Sequence, residues 1–478
     1  MKLEFSEWTP DMIGAVSSVV DAKNVIPDMD GFRSFRDAAA KTSALNAACL
    51  GAGWFADDAN NPQTFAGTTS KLYKRNGDTW TDVSKVGGYT GSNWEFVKWG
   101  SWCVATNGVE SPQYMVMSGA GPFANVTNAP IAFRVAVIRD FLVFGDTNES
   151  ATSYYNRVRW SGFNNATAYG SSLATQADYQ DLLGNGGRVQ KIVSGDVGVI
   201  FQERSIWTME YVGPPTIFRF VEVEPGQGTP APGSVCQKGG VIYYLSHAGF
   251  MAFSGGQSAP IGAGKIDKWF NDNVDTTRLD EIRGVVDREG RYVYWSFASS
   301  SAGATCDSMM IFHIPSGKWA YARVNTEVIF EAASPGYTLD GLDSLFADID
   351  SESIAVDSRA YLGGAILLGC FDSSHKLATF DGDALTAEIE TGDMGSGPRF
   401  WAQSMRPLVE AGDTITVCVG YRNDLTENVT WGAALSPVST GDIPCRVNAR
   451  YQRFKMSISG GFTRAHGLEV DGTSEGSR

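Results

Sequence analysis

One pattern constrains this chain most: four short β-type runs joined by tight-turn residues, starting at residues 189, 234 and 282, with spacings of 45 and 48 residues. In the first copy, 189–193 is apolar, Gly195 and Asp196 turn the chain, 198–202 returns, and 205–211 follows with Ile206, Trp207, Met209 and Tyr211. Gly213, Pro214 and Pro215 then break the run, and 217–223 alternates as Ile-Phe-Arg-Phe-Val-Glu-Val. The second copy turns at Gly239-Gly240 and again at Gly255-Gly256, around the apolar run 241–245. The third comprises 282–286, 291–297, 309–313 and 318–324. A four-stranded unit recurring at about 40–50 residues predicts the blades of a β-propeller. One such sheet has two apolar faces and cannot bury either alone; radial stacking lets each blade cover its neighbour and leaves few open edges.

Weaker copies flank these three. Residues 71–75 with 80–83 predict part of a blade, as do 94–99, 102–106 and 113–117, and then 133–138, 141–145 and 156–160. The runs 365–370, 376–380 and 385–390 predict the last blade, while 326–362 fits poorly and reads as an insertion or an irregular blade. The expectation is an all-β propeller of about six blades, with five to seven allowed, over residues 46–391. A large sandwich or two stacked barrels is the alternative that hairpin order alone permits. Residues 1–45 lack the hairpin pattern and read as an N-terminal arm, with Ala-rich helical character over 32–48. Beyond Gly392 five or so strands predict a small β-sandwich or barrel-like platform domain over 392–478.

Composition agrees with many short strands. The 54 Gly outnumber 18 Pro, and aromatic residues make up 12% of the chain. The 38 basic and 53 acidic residues give a net charge of −15 with no basic cluster, which argues against phosphate-neutralising DNA binding. The acidity reads as solubility, or more sharply as a surface along which a polyanion slides without sticking. Seven scattered Cys form no CxxC pair and read as buried free thiols of a protein made in a reducing cytoplasm. The four His lie far apart, without metal-ligand spacing. Neither a secretory leader nor a run of about 18 apolar residues occurs, so stable membrane insertion is not expected.

The chemistry search is sparse. There is no convincing GxSxG elbow; Gly195-Asp196-Val197-Gly198 is a hairpin turn, and Gly184-Asn185-Gly186-Gly187 precedes a strand instead of the helix a phosphate cradle needs. Asp348 and Asp350 lack the spacing of a Ca²⁺ loop. Asp178, Asp181, Glu203, Asp287 and Glu289 are the carboxylates available to a propeller glycosidase, each with a plainer reading as a turn or rim charge. The sequence therefore predicts no enzyme and no catalytic, cofactor-binding or metal residues. The rival reading is a propeller glycosidase or carbohydrate-binding tail protein acting on host surface polysaccharide, since exposed Trp and Tyr stack on sugars.

Several passages, in order, resemble the tail nozzle or tail hub (packaged-DNA stabilisation) proteins of short-tailed bacteriophages. They include Phe65-Ala66-Gly67-Thr68-Thr69-Ser70-Lys71-Leu72-Tyr73, Trp80-Thr81-Asp82-Val83-Ser84, Val158-Arg159-Trp160-Ser161-Gly162 and Val199-Ile200-Phe201-Gln202-Glu203-Arg204-Ser205-Ile206. Toward the end, Met405-Arg406-Pro407-Leu408-Val409-Glu410 and Val447-Asn448-Ala449-Arg450-Tyr451 resemble the family's closing domain, and Asn24-Val25-Ile26-Pro27 its opening arm. The resemblance implies a structural virion protein of the tail, assembled in the host cytoplasm as a homohexameric ring below the portal and adaptor. It would retain packaged double-stranded DNA, conduct it during ejection without sequence-specific binding, and contact tail fibre or needle proteins. No cofactor is implied.

Overall fold

The computed structural model describes residues 2–12, 19–91, 93–333, 366–395, 398–410 and 414–474. Asp348, Asp350 and most of 326–362 lie outside them. Seven four-stranded antiparallel meanders succeed one another. Blade 1 runs from Gly51–Ala56 to Thr79–Asp82, blade 2 from Glu95–Trp99 to Ala124–Asn125, and blade 3 from Ile131–Ile138 to Asp178–Asp181. Blade 4 runs from Val189–Val193 to Ile217–Pro225, blade 5 from Cys236–Lys238 to Gln257–Pro260, and blade 6 from Arg283–Val286 to Lys318–Ala322. Blade 7 comprises Val328–Ala333, Ile366–Phe371, Lys376–Thr379 and, from the far end of the chain, Ala39–Ala44. The count is thus one above six and within the expected range. The first strands adjoin around an axis, and blade 7 returns to blade 1.

Local chemistry makes the hairpins. In blade 5, Lys238 pairs with Val241 and Ser254 with Gln257, leaving two-residue loops Gly239-Gly240 and Gly255-Gly256. All four glycines have positive φ, between 57° and 88°. A two-residue loop matching strand twist needs positive φ at both positions, which glycine adopts without a Cβ penalty. Packing then closes the ring. Phe65 belongs to a core shared with Cys103 and Met115 of blade 2, whereas its neighbour Ala66 joins Val328, Phe330 and Phe371 of blade 7. This alternation gives each blade two buried faces, which is why Tyr292–Phe297 and Ser308–His313 of blade 6 are buried at every position. Between blades 5 and 6, Phe250 and Trp295 stand 4.8 Å apart. Each such large apolar side chain contributes about 1.5–3 kcal/mol by leaving water.

Two expectations are corrected. The Ala-rich stretch within 32–48 is not helical: it forms the strands Phe32–Ser34 and Ala39–Ala44. Alanine's helix propensity is a weak preference, and here the open edge of Lys376–Thr379 takes the segment as a fourth strand. The run 385–390, expected in the last blade, instead supplies Ala387–Thr391 to the second domain, between Val19–Lys23 and Tyr451–Ser459.

That second domain is a β-sandwich. One sheet is ordered Val25–Pro27, Phe32–Ser34, Arg464–Ser474, Phe400–Glu410, Ile443–Ala449, with Lys2–Glu4 also on Arg464–Ser474. The other is ordered Val19–Lys23, Ala387–Thr391, Tyr451–Ser459, Thr414–Arg422, Thr430–Trp431. Lys23 pairs with Tyr321 in parallel, so this sheet continues from the outer strand of blade 6 into one nine-stranded sheet. The described part of residues 1–45, expected as an arm, therefore supplies strands to both bodies.

Candidate functional site

The first strands of the blades surround an axial cavity of about 390 Å³ to which all seven contribute. First-strand positions place five charged side chains there. Glu95 opens the first strand of blade 2, and its carboxylate lies 3.2 Å from Arg134 Nη1 of blade 3 and 3.1 Å from Lys191 Nζ of blade 4. Its second oxygen accepts from the Val135 backbone N–H at 3.3 Å. Burial alone would raise this carboxyl; Lys191, then Arg134, reverse that and hold it below the usual carboxylate range. Arg283 opens the first strand of blade 6. It donates to Asn93 Oδ1 at 2.5 Å and to the backbone oxygens of Asp280 and Ile282 at 2.5 and 3.1 Å. All three acceptors are neutral, and burial pushes this guanidinium below its usual value. Glu331, fourth in its strand on blade 7, and the exposed Asp280 complete the charged lining.

The cavity has the size of a small-molecule pocket. It offers no passage to a duplex, so any DNA conduit would have to be built between subunits. Glu95 is committed to two cations and an amide, and two further carboxylates, Asp280 and Glu331, line the same cavity.

The carboxylates singled out from sequence are dispersed. Asp178 and Asp181 end blade 3, where Asp181 grips Arg157 through two bonds of 2.7 and 2.9 Å. Arg157 is further clamped between the rings of Tyr154 and Tyr179, at 3.6 and 4.0 Å. Glu203 lies in a blade 4 hairpin, its backbone oxygen 3.1 Å from His247 Nε2. Asp287 accepts from the backbone N–H groups of Arg291 and Tyr292, a turn carboxylate, and Glu289 pairs with Arg291 at the surface. Sequence reading passed over Asp146, buried on blade 3 beside Arg188 at 3.3 Å; burial pushes its carboxyl up to about 6 against the pull of Arg188. It also passed over Glu95, Arg134, Lys191 and Arg283. Their signal was position: each is a charge near the start of the first run of a repeat unit, where side chains of neighbouring units converge.

All seven Cys are free thiols, and five are buried. Burial pushes the Cys445 thiol up to about 11, far from a reactive thiolate. No group of three or more His, Cys, Asp or Glu able to hold a metal occurs among the described residues. Trp8, Trp295 and Trp319 are fully buried, while Trp401 and Trp431 of the sandwich are exposed. No helix among the described residues is long and apolar enough to cross a membrane.

The architecture defines a class, a seven-bladed propeller fused through one sheet to a β-sandwich. No protein-family model matches the chain, and no curated protein does. Among solved structures, the extracellular domain of a one-component system from B. thetaiotaomicron aligns over 85% of this chain and 49% of its own, at 10% identity and a TM-score of 0.44. The WD40 domain of Neurospora crassa Pan2 aligns over 63% of this chain and 87% of its own, at 7% identity and a TM-score of 0.39. The computationally designed Ika8 protein aligns over 72% and 99%, at 8% identity and a TM-score of 0.38. The chain spans about half the length of the first of these. The propeller description rests on the sheet pairings and the cores between blades.

Proposed function

We propose that this chain is a structural subunit of a short-tailed phage tail, a nozzle or hub ring that retains packaged DNA and conducts it during ejection. The ordered sequence resemblance motivates the reading. The observation that carries it is the nine-stranded sheet running from blade 6 into the sandwich, locked by N-terminal strands that belong to both bodies. A subunit of a pressurised conduit must transmit load between its ends without hinging, and a continuous sheet does so where a flexible linker would not. Trp401, Tyr421, Leu425, Trp431 and Val438 leave the sandwich with exposed apolar side chains for contacts between subunits, adaptor, or fibre and needle proteins.

Cryo-electron microscopy of the intact virion tests the proposal. The expected result is a closed ring, sixfold and built from heterologous contacts, below the portal and adaptor. A single copy in an intact tail, or isologous dimers, would overturn it. Activity on host polysaccharide that disappears on replacing one carboxylate would favour the glycosidase instead.

A further inference from the structure

We propose that the axial cavity of the propeller binds a small oxyanion, a phosphate or a carboxylate-bearing solute, between Arg283, Arg134 and Lys191. Three cations share the lining with three carboxylates, Glu95, Asp280 and Glu331, and Glu95 already serves two of the cations. Arg283 has no carboxylate partner among the described residues; its donors meet an amide oxygen and two backbone oxygens. The charges of Glu95, Arg134 and Asp280 all act on Arg283, which sets these groups in one neighbourhood. A second observation is independent of charge counting. Arg134 lines the cavity, and its Nε is buried without a hydrogen-bond partner. Buried guanidinium donors left without acceptors are costly, and a guanidinium fork fits the two oxygens of a carboxylate or phosphate.

Two further carboxylates share the lining. Asp280 is exposed at the rim, and Glu331 is the fourth residue of its strand, whereas Arg283 is the first of its own. At about 390 Å³ the cavity admits a small solute and excludes a polymer, which separates this site from any DNA path. It is also independent of ring assembly, since each subunit carries its own axis.

Isothermal titration calorimetry on the purified full chain tests the site with sodium phosphate and with sodium succinate, against sodium chloride at equal ionic strength. Saturable heat with phosphate alone, or with succinate alone, identifies which oxyanion the site prefers. Arg283→Gln is expected to weaken that binding by at least about tenfold, the loss of one charge-assisted pair. Glu95→Gln removes the competing negative charge and is expected to tighten it. Should Arg283→Gln fail to fold, Lys191→Gln, at a more exposed position, is expected to weaken binding several-fold. Heats that do not saturate with either oxyanion, binding indifferent to both cation variants, or weaker binding in Glu95→Gln would overturn the proposal.

Discussion

Asp267 is the carboxylate around which blade 5 meets the short helix Asp267–Asn273. Its Oδ1 accepts from the Phe250 backbone N–H at 3.1 Å. A Cβ on Gly249 would stand 2.2 Å from its Oδ2, and one on Gly262 2.1 Å from its Oδ1, so both glycines are required by close approach. Burial, opposed by the Phe250 hydrogen bond, pushes its carboxyl up to about 6 from 3.8. The native state therefore holds this proton more tightly than the unfolded chain does. Its effect on stability is favourable at low pH, declines as pH rises from about 4 to about 6, and is fully lost above that. After solvent screening the ionised group costs about 1–2 kcal/mol. Asp267→Asn keeps an oxygen for Phe250 and cannot ionise, so urea unfolding across this window should show a flatter pH profile than the parent. An unchanged slope would mean that Asp267 titrates normally. None of this was legible beforehand. Nothing near Asp267 in sequence shows that Gly249 and Gly262 converge on one carboxylate.

At the scale of elements, legibility followed local chemistry. Blades 4, 5 and 6 were readable because each of their strands is followed directly by its partner and the turns are spelled by residues such as Gly239-Gly240. Blade 7 was readable only in part: 365–370 and 376–380 fall on Ile366–Phe371 and Lys376–Thr379, but its fourth strand comes from residues 39–44, more than three hundred positions before its partner. Pairing at that separation leaves no periodicity in a local window, and Ala39-Ala40-Lys41-Thr42 shows only a propensity that the sheet overrides. Thr42 joins this strand to its surroundings: its Oγ1 accepts from the Leu377 backbone N–H and from Trp80 Nε1, both at 3.1 Å. Thr42→Val preserves shape and removes this shared acceptor, leaving two donors unsatisfied. It should destabilise the protein by about 2 kcal/mol in urea unfolding, with Thr42→Ser close to the parent. Equal stability of all three would show that the seventh blade does not depend on this latch.

For the whole molecule, the two ends of the chain fold together. Residues 2–45 supply the outer strand of blade 7 and four strands of the sandwich, so ring closure and domain fusion depend on the same segment. Its deletion should abolish cooperative unfolding and expose apolar surface to a dye such as ANS; a deletion variant that unfolds like the parent would show the segment to be an accessory arm after all. The axial site was equally hidden in the sequence, because Glu95, Arg134, Lys191 and Arg283 come from four different blades and meet only when the ring closes. Net charge, by contrast, is readable without any fold and bears directly on the proposed passage of DNA. With 38 basic against 53 acidic residues, the chain offers few phosphate-neutralising groups, and those on the axis lie in a cavity no duplex enters. Counterion release, the usual drive for nonspecific binding, needs several cations aligned on one open face. Fluorescence anisotropy with a labelled duplex at physiological salt should therefore show weak binding, with a shallow dependence on salt. Tight binding with a steep salt slope would reveal a basic face formed in the folded ring, and would replace sliding past an acidic wall with retention by direct phosphate contact.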